Sequence, residues 1–317
     1  MTSIEKTILP FEIQRKIKAI KSDSHSGATA LTQQGIQTVH LLLQKNQSSN
    51  QQMLQQQIKL TLQKLLNAQP LMASLVTYAN TILLSLEKQQ FQSVQSLKQL
   101  IFEQSNTFLN DFSQANKQIS TYVLPLLTNN TTVFTYSNSS TVLEAILFAH
   151  KKGRKINVHC SESRPTQEGT KLAKTLSKQG INTTLSTDAA LFNNLPRADI
   201  VLIGADSIST QGICHKMGTH PLALLASIHH IPIYSLSAEE KIVPASYPHP
   251  TQPTKNPKEI LTHSTKHLHI SNYYFDCTPL ALFTAIITQH GRKKPTDILN
   301  HQHKLPLHEI LLSNNTH

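Results

Sequence analysis

The 317-residue chain is long enough for two domains of ordinary size, and its 38% hydrophobic content supports a globular core. A net charge of +11 favours phosphate-rich partners, but the basic clusters Lys151 to Lys155 and Arg292 to Lys294 are short and lack interleaved aromatics, which argues against direct nucleic-acid binding. Cys160, Cys214 and Cys277 are widely spaced and form no CxxC pair, so neither a disulfide framework nor a zinc knuckle is expected.

The N-terminal stretch MTSIEKTILPFEIQRKIK carries charges throughout and has no uninterrupted apolar region, so no secretory signal is expected there. No apolar run approaches the length of a membrane span, and with three unpaired thiols a reducing, cytoplasmic setting is expected. From the start to about Gln118 the pattern is helical. Leu31, Ile36, Val39, Leu42 and Leu43 recur at spacings of three to five, as do Met53, Ile58, Leu62, Leu65 and Leu66 across the glutamine-rich run Gln51 to Gln57. Gln is a good helix former, so that run reads as a polar helix face. Further helices are predicted at Leu71 to Leu86 and Phe91 to Phe112, completing a helical bundle over residues 1–124.

Pro125 and the Asn-Asn-Thr-Thr sequence end this pattern, and beyond them apolar strands alternate with helices. Strands are predicted at Val133 to Tyr136, Lys155 to Cys160, Asn182 to Ser186, Asp199 to Ile203 and Ile231 to Leu236. Helices are predicted between them, after Ser140, at Gln167 to Gln179, at Ala189 to Asn194 and from about Gly218 to His229, with a short polar connection between Asp206 and Gly218. This is an α/β arrangement over residues 125–317, with a parallel sheet and right-handed crossovers. Residues 239–258, with five prolines, read as a long surface excursion ahead of the alternative, an active-site lid. Asp276 to Pro279 reads as a turn leading into an apolar helix that Gly291 stops. The tail from Lys293 reads as peripheral, with one apolar run from Leu305 to Leu312.

Polar residues gather after three strands, where open α/β sheets bind ligands. Thr135, Ser137, Asn138, Ser139, Ser140 and Thr141 can offer a phosphate the N–H groups of a helix start, or can simply cap that helix. Arg164, in the segment Ser161 to Pro165, can hold a phosphate or carboxylate, or pair with Glu162 or Glu168. Asp206 with His215 and Lys216 can move a proton, or form a hydrogen-bonded turn. There is no GxGxxG, Walker loop, HExxH or GxSxG, so no cofactor and no metal is expected.

Four ordered segments, FTYSNSSTVLEAI, VHCSESRPTQEGTKLAKTL, ADIVLIGADSISTQGICHKMGTHPLALLA and YFDCTPLALFTAIIT, resemble the signature segments of one family. It comprises the alpha, beta and delta regulatory subunits of eukaryotic translation initiation factor 2B with the related ribose-1,5-bisphosphate and methylthioribose-1-phosphate isomerases. The resemblance covers about Val133 to Gly291 and implies a helical N-terminal domain followed by a Rossmann-like domain through which two copies pair. It also implies a translation factor as a partner.

The isomerase branch implies a catalytic Cys after the first strand and an Asp after a later one. The Asp is Asp206, but Ser137 stands at the Cys position, and a hydroxyl is a poor replacement for a tuned thiol. The branch's Arg-Gly-Ala phosphate motif corresponds to Ser26, Gly27 and Ala28, and its Asn-Lys pair to His215 and Lys216. The expectation is a non-catalytic, regulatory-subunit-like protein that binds a sugar phosphate or nucleotide monophosphate. An aldose-ketose isomerase of the ribose-1,5-bisphosphate or methylthioribose-1-phosphate type is the alternative.

Overall fold

A computed structural model of the chain describes residues 9–23 and 26–312. The first eight residues of the charged N-terminal stretch therefore lie outside the described residues. The structure divides into two compact units: residues 1–113 with 246–250 and 306–317, and residues 114–245 with 251–305.

The helical unit contains α1 (Phe11–Ser22), α2 (Ala28–Lys45), α3 (Gln51–Ala68), α4 (Ala73–Lys88) and the first part of α5 (Val94–Val123). The apolar spacing read from the sequence is largely the buried stripe: Leu31, Ile36, Val39, Leu42 and Leu43 of α2 and Ile58, Leu62, Leu65 and Leu66 of α3 are buried, whereas Met53 is exposed and Leu54 takes its place. The glutamine-rich run is helical, and Asn50 starts it by accepting the Met53 N–H at 3.0 Å. The apolar run near the C-terminus is not peripheral. Asn80 of α4 donates to Pro306 O at 2.8 Å and accepts from His308 N at 2.9 Å, and Leu311 is fully buried.

The second unit is α/β, as expected. Its main sheet holds β1 (Thr132–Thr135), β2 (Asn157–Ser161), β3 (Asn182–Ser186), β4 (Ile200–Ile203), β7 (Ile233–Leu236), β9 (Ala285–Thr288) and β10 (Gly291–Lys293). The order is β10-β9-β7-β4-β1-β2-β3, parallel except for the antiparallel edge strand β10. Setting β10 aside, the six parallel strands follow the doubly wound order that reverses between β1 and β4, and that reversal opens a crevice at the strands' carboxyl ends. Helices α6 (Ser140–Lys151), α7 (Glu168–Lys178), α8 (Leu191–Asn194), α9 (Thr219–Ile228) and α10 (Pro295–Gln302) accompany the sheet. β4, β7 and β9 are buried along their whole length, which is why they read as continuous apolar runs rather than alternating ones.

Three readings are corrected. The apolar segment before Gly291 is β9, preceded by a short 3-10 turn, and not a helix. A short, evenly apolar run has no period that separates a buried strand from a buried helix. The polar connection after Asp206 is an antiparallel hairpin, β5 (Ser207–Ser209) and β6 (Gly212–Lys216), which joins β8 (Phe275–Thr278) in a second three-stranded sheet. The proline-rich stretch is not wholly a surface excursion, because Lys241, Ile242 and Val243 at its start are buried.

Candidate functional site

The site grows from the loops after β1 and β4, neighbouring strands on either side of the switch point. After β1, Tyr136 donates its hydroxyl to Met217 O at 3.0 Å, and Ser137 follows with a left-handed φ of 67°. The Ser137 N–H donates to Ser163 Oγ at 2.8 Å, which ties this loop to the one after β2. Asn138 is exposed, and Ser139 caps α6 by accepting the Val142 N–H at 3.4 Å, with Ser140 exposed in the first turn.

After β4, Gly204 lies close against that cap. A Cβ there would stand 2.5 Å from Ser139 Oγ and 3.5 Å from His215 Nε2. The missing side chain is what lets α6 and β6 approach the end of β4. Asp206 comes two residues later, with its N–H donating to Cys214 O at 2.9 Å. It retains some surface, yet its carboxylate is densely surrounded, and burial pushes its pKa up to about 6 against the opposing pull of Lys241 and Lys216.

Lys216 is 2% exposed and donates to Glu168 Oε1 and to Thr166 Oγ1, both at 2.8 Å, with its ammonium 4.9 Å from the Tyr274 ring centroid. His215 is buried beside it. Thr219 Oγ1 donates to Lys216 O at 2.6 Å and lies 2.9 Å from His215 Nδ1, so His215 donates from Nδ1 and keeps Nε2 as an acceptor. Burial, with Lys241 and Lys216 adding to it, pushes the His215 pKa down to about 3 and keeps the ring neutral.

Arg164 sits in the loop after β2, preceding the cis bond to Pro165. Asp188 shapes this loop by accepting from Ser161 Oγ, from Ser163 N at 2.8 Å and from Arg164 N at 2.7 Å. The pairing of Arg164 with Glu168 weighed from spacing is not made. Glu168 turns to Lys216, and the exposed Arg164 guanidinium forms no ion pair among the described residues. The second unit therefore gathers Ser137 to Ser140, Arg164, Asp206, His215 and Lys216 around the sheet's carboxyl end. Ser26, Gly27 and Ala28 belong to the helical unit, where they open α2. Ser26 N donates to Asp23 Oδ1 at 2.9 Å, and a Cβ at Gly27 would meet open space.

Sequence reasoning missed Lys241 and Asp276. Lys241, in a 3-10 turn just past β7, donates its ammonium to Ala205 O at 2.7 Å, and burial lowers its pKa. Its position just after a parallel strand was a usable signal, hidden by the prolines that follow. Asp276 Oδ2 accepts from Gly218 N at 2.8 Å and His220 N at 3.1 Å, holding the start of α9.

Residues 24–295 match the model of the Initiation factor 2 subunit family, IF-2B. The chain belongs to this family. This IF-2B member is 29% identical over 236 residues to a ribose 1,5-bisphosphate isomerase of Methanocaldococcus jannaschii, covering 73% of this chain and 75% of that one. It is 29% identical over 214 residues to translation initiation factor eIF2B subunit alpha of Caenorhabditis elegans, covering 66% and 68%. Its fold matches a crystal structure titled translation initiation factor eIF-2B, from Pyrococcus horikoshii OT3, with a TM-score of 0.78 at 26% identity over 90% of this chain and 98% of that one.

Proposed function

We propose that this IF-2B member is a regulatory-subunit-like protein that binds a sugar phosphate or nucleotide monophosphate at the switch-point crevice without converting it. One observation carries the non-catalytic reading: the loop after β1 offers Ser137, whose backbone N–H is engaged with Ser163 and whose hydroxyl does not titrate near neutral pH. Asp206 is thereby left without a titrating partner from β1. Binding has support of its own. Lys216 and Lys241 flank Asp206, the Arg164 guanidinium is exposed and unpaired among the described residues, and the α6 start presents N–H groups beside Ser139 and Ser140. Ser26, Gly27 and Ala28, at the start of α2, are a separate proposed ligand-binding segment within the helical unit.

Calorimetric titration with ribose 1,5-bisphosphate and with adenosine monophosphate tests this reading. Binding of at least one, weakened roughly 10- to 100-fold by Arg164→Gln, is the expected result. Absence of heat with both ligands contradicts it.

The second reading is an aldose-ketose isomerase, favoured by the near-neutral pKa of Asp206, which suits a group that exchanges protons. Turnover of ribose 1,5-bisphosphate or methylthioribose 1-phosphate, abolished by Asp206→Asn, would establish it. A second copy of the chain is the proposed partner. Leu224 and Ile228, one turn apart on α9, are 47% and 71% exposed and give a second copy an apolar strip to cover. A translation factor is the further proposed partner, tested by co-elution with translation initiation factor 2 on size exclusion.

A further inference from the structure

Cys214 and Cys277, 63 positions apart in the sequence, are register partners on the antiparallel strands β6 and β8. The Met217 N–H donates to Tyr274 O at 2.7 Å just beyond the end of this ladder, and on the other side of β6 the Cys214 carbonyl accepts from the Asp206 N–H at 2.9 Å, so Cys214 turns its backbone groups away from β8. Hydrogen-bonded and non-hydrogen-bonded pairs alternate along such a ladder, so Cys214 and Cys277 are a non-hydrogen-bonded pair. Opposed residues of that kind share one face of the sheet, with Cα atoms about 4.5 Å apart. A disulfide spans Cα separations of about 4.4 to 6.8 Å, so this pair sits at the short end of the bridging range.

Both sulfurs are free thiols. Cys277 is exposed and Cys214 half-buried, whereas Cys160 is fully buried in β2. We propose that Cys214 and Cys277 form a modification site, a thiol pair that a small-molecule disulfide such as oxidised glutathione converts to a cross-strand disulfide. The Cys277 thiolate attacks one sulfur of glutathione disulfide. That S–S bond breaks, and the departing glutathione takes up the proton Cys277 gave up. Cys214 then attacks Cys277 Sγ in the mixed disulfide, and the second glutathione leaves with the Cys214 proton. Two protein thiols lose two electrons, and one disulfide becomes two thiols.

Burial raises both thiol pKa values, with Asp206 adding to this at Cys214 and Asp276 at Cys277, while a hydrogen bond with Ser207 acts the other way at Cys214. Thiolate is scarce near neutrality and the exchange is slow. The bond would lie directly beside His215 on β6 and Asp276 on β8. An exposed disulfide at the short end of the range is of the reducible kind.

The test uses the 317-residue chain and is independent of the proposed function. The chain is incubated with oxidised glutathione, then unfolded and alkylated, and its thiols are counted and mapped. The count is expected to fall from three to one, with Cys214 and Cys277 peptides linked within one chain, and dithiothreitol should restore all three. Cys214→Ser should stop at a stable glutathione adduct on Cys277. Three alkylatable thiols after oxidation, a stable wild-type adduct on Cys277, or a link through Cys160 or between two copies would overturn the proposal. The wild-type peptide map decides the matter even if the variant fails to fold.

Discussion

Burial moves Asp206 up to about 6 and His215 down to about 3, and the two shifts act on stability in opposite directions. Asp206 binds its proton more tightly folded than unfolded, so its contribution is full below about 4 and is lost as pH rises through about 6. A rise from the usual carboxylate value to about 6 is worth roughly 3 kcal/mol. His215 is neutral when folded, so its contribution is full above about 6.5 and is lost as pH falls towards about 3. Urea unfolding from pH 4 to 7 separates them. Relative to Asp206→Asn, wild-type stability should fall by up to about 3 kcal/mol as pH rises. Relative to His215→Gln, it should fall by a similar amount as pH drops from 6.5 to 4. Flat differences would contradict these assignments. Asp206 was legible in the sequence because it follows a strongly apolar strand. Lys241 was not, because its partner is a backbone carbonyl, Ala205 O, that only the tertiary fold brings within reach.

At the scale of elements, the start of α9 is held from outside its own strand-helix unit. Asp276 of β8 accepts its Gly218 and His220 N–H groups, so Asp276→Ala should cost about 1 to 2 kcal/mol in urea unfolding. A second element prediction concerns the contact between the end of β4 and α6. A Cβ at Gly204 would stand 2.7 Å from Ser139 Cβ, so Gly204→Ala should destabilise by about 1 to 3 kcal/mol. The helices up to α9 and the main-sheet strands up to β7 were legible because their periods and caps are local. The β5-β6-β8 sheet was not. Its strands are short, one is contributed from about sixty residues downstream, and none carries a full alternating pattern. The same long-range pairing brings Cys214 opposite Cys277, which spacing alone had set far apart.

For the whole molecule, the two units and the IF-2B family membership frame the function, and the four ordered sequence segments were enough to point to that family. The proposal of binding without conversion rests on substitutions against the resemblance, Ser137 for Cys, Ser26 for Arg and His215 for Asn, and the fold places Ser137 after β1, the neighbour of β4. Pairing of two copies through α9 predicts that light scattering finds a dimer or larger assembly, and that Leu224→Glu with Ile228→Glu shifts it to the monomer. The most direct test of the central claim is phosphorus NMR of ribose 1,5-bisphosphate mixed with the purified chain, which reports binding and conversion in one sample. Shifted or broadened ligand signals with no ketose product accumulating are the predicted result. Steady appearance of the ketose bisphosphate, absent with Asp206→Asn, would contradict it.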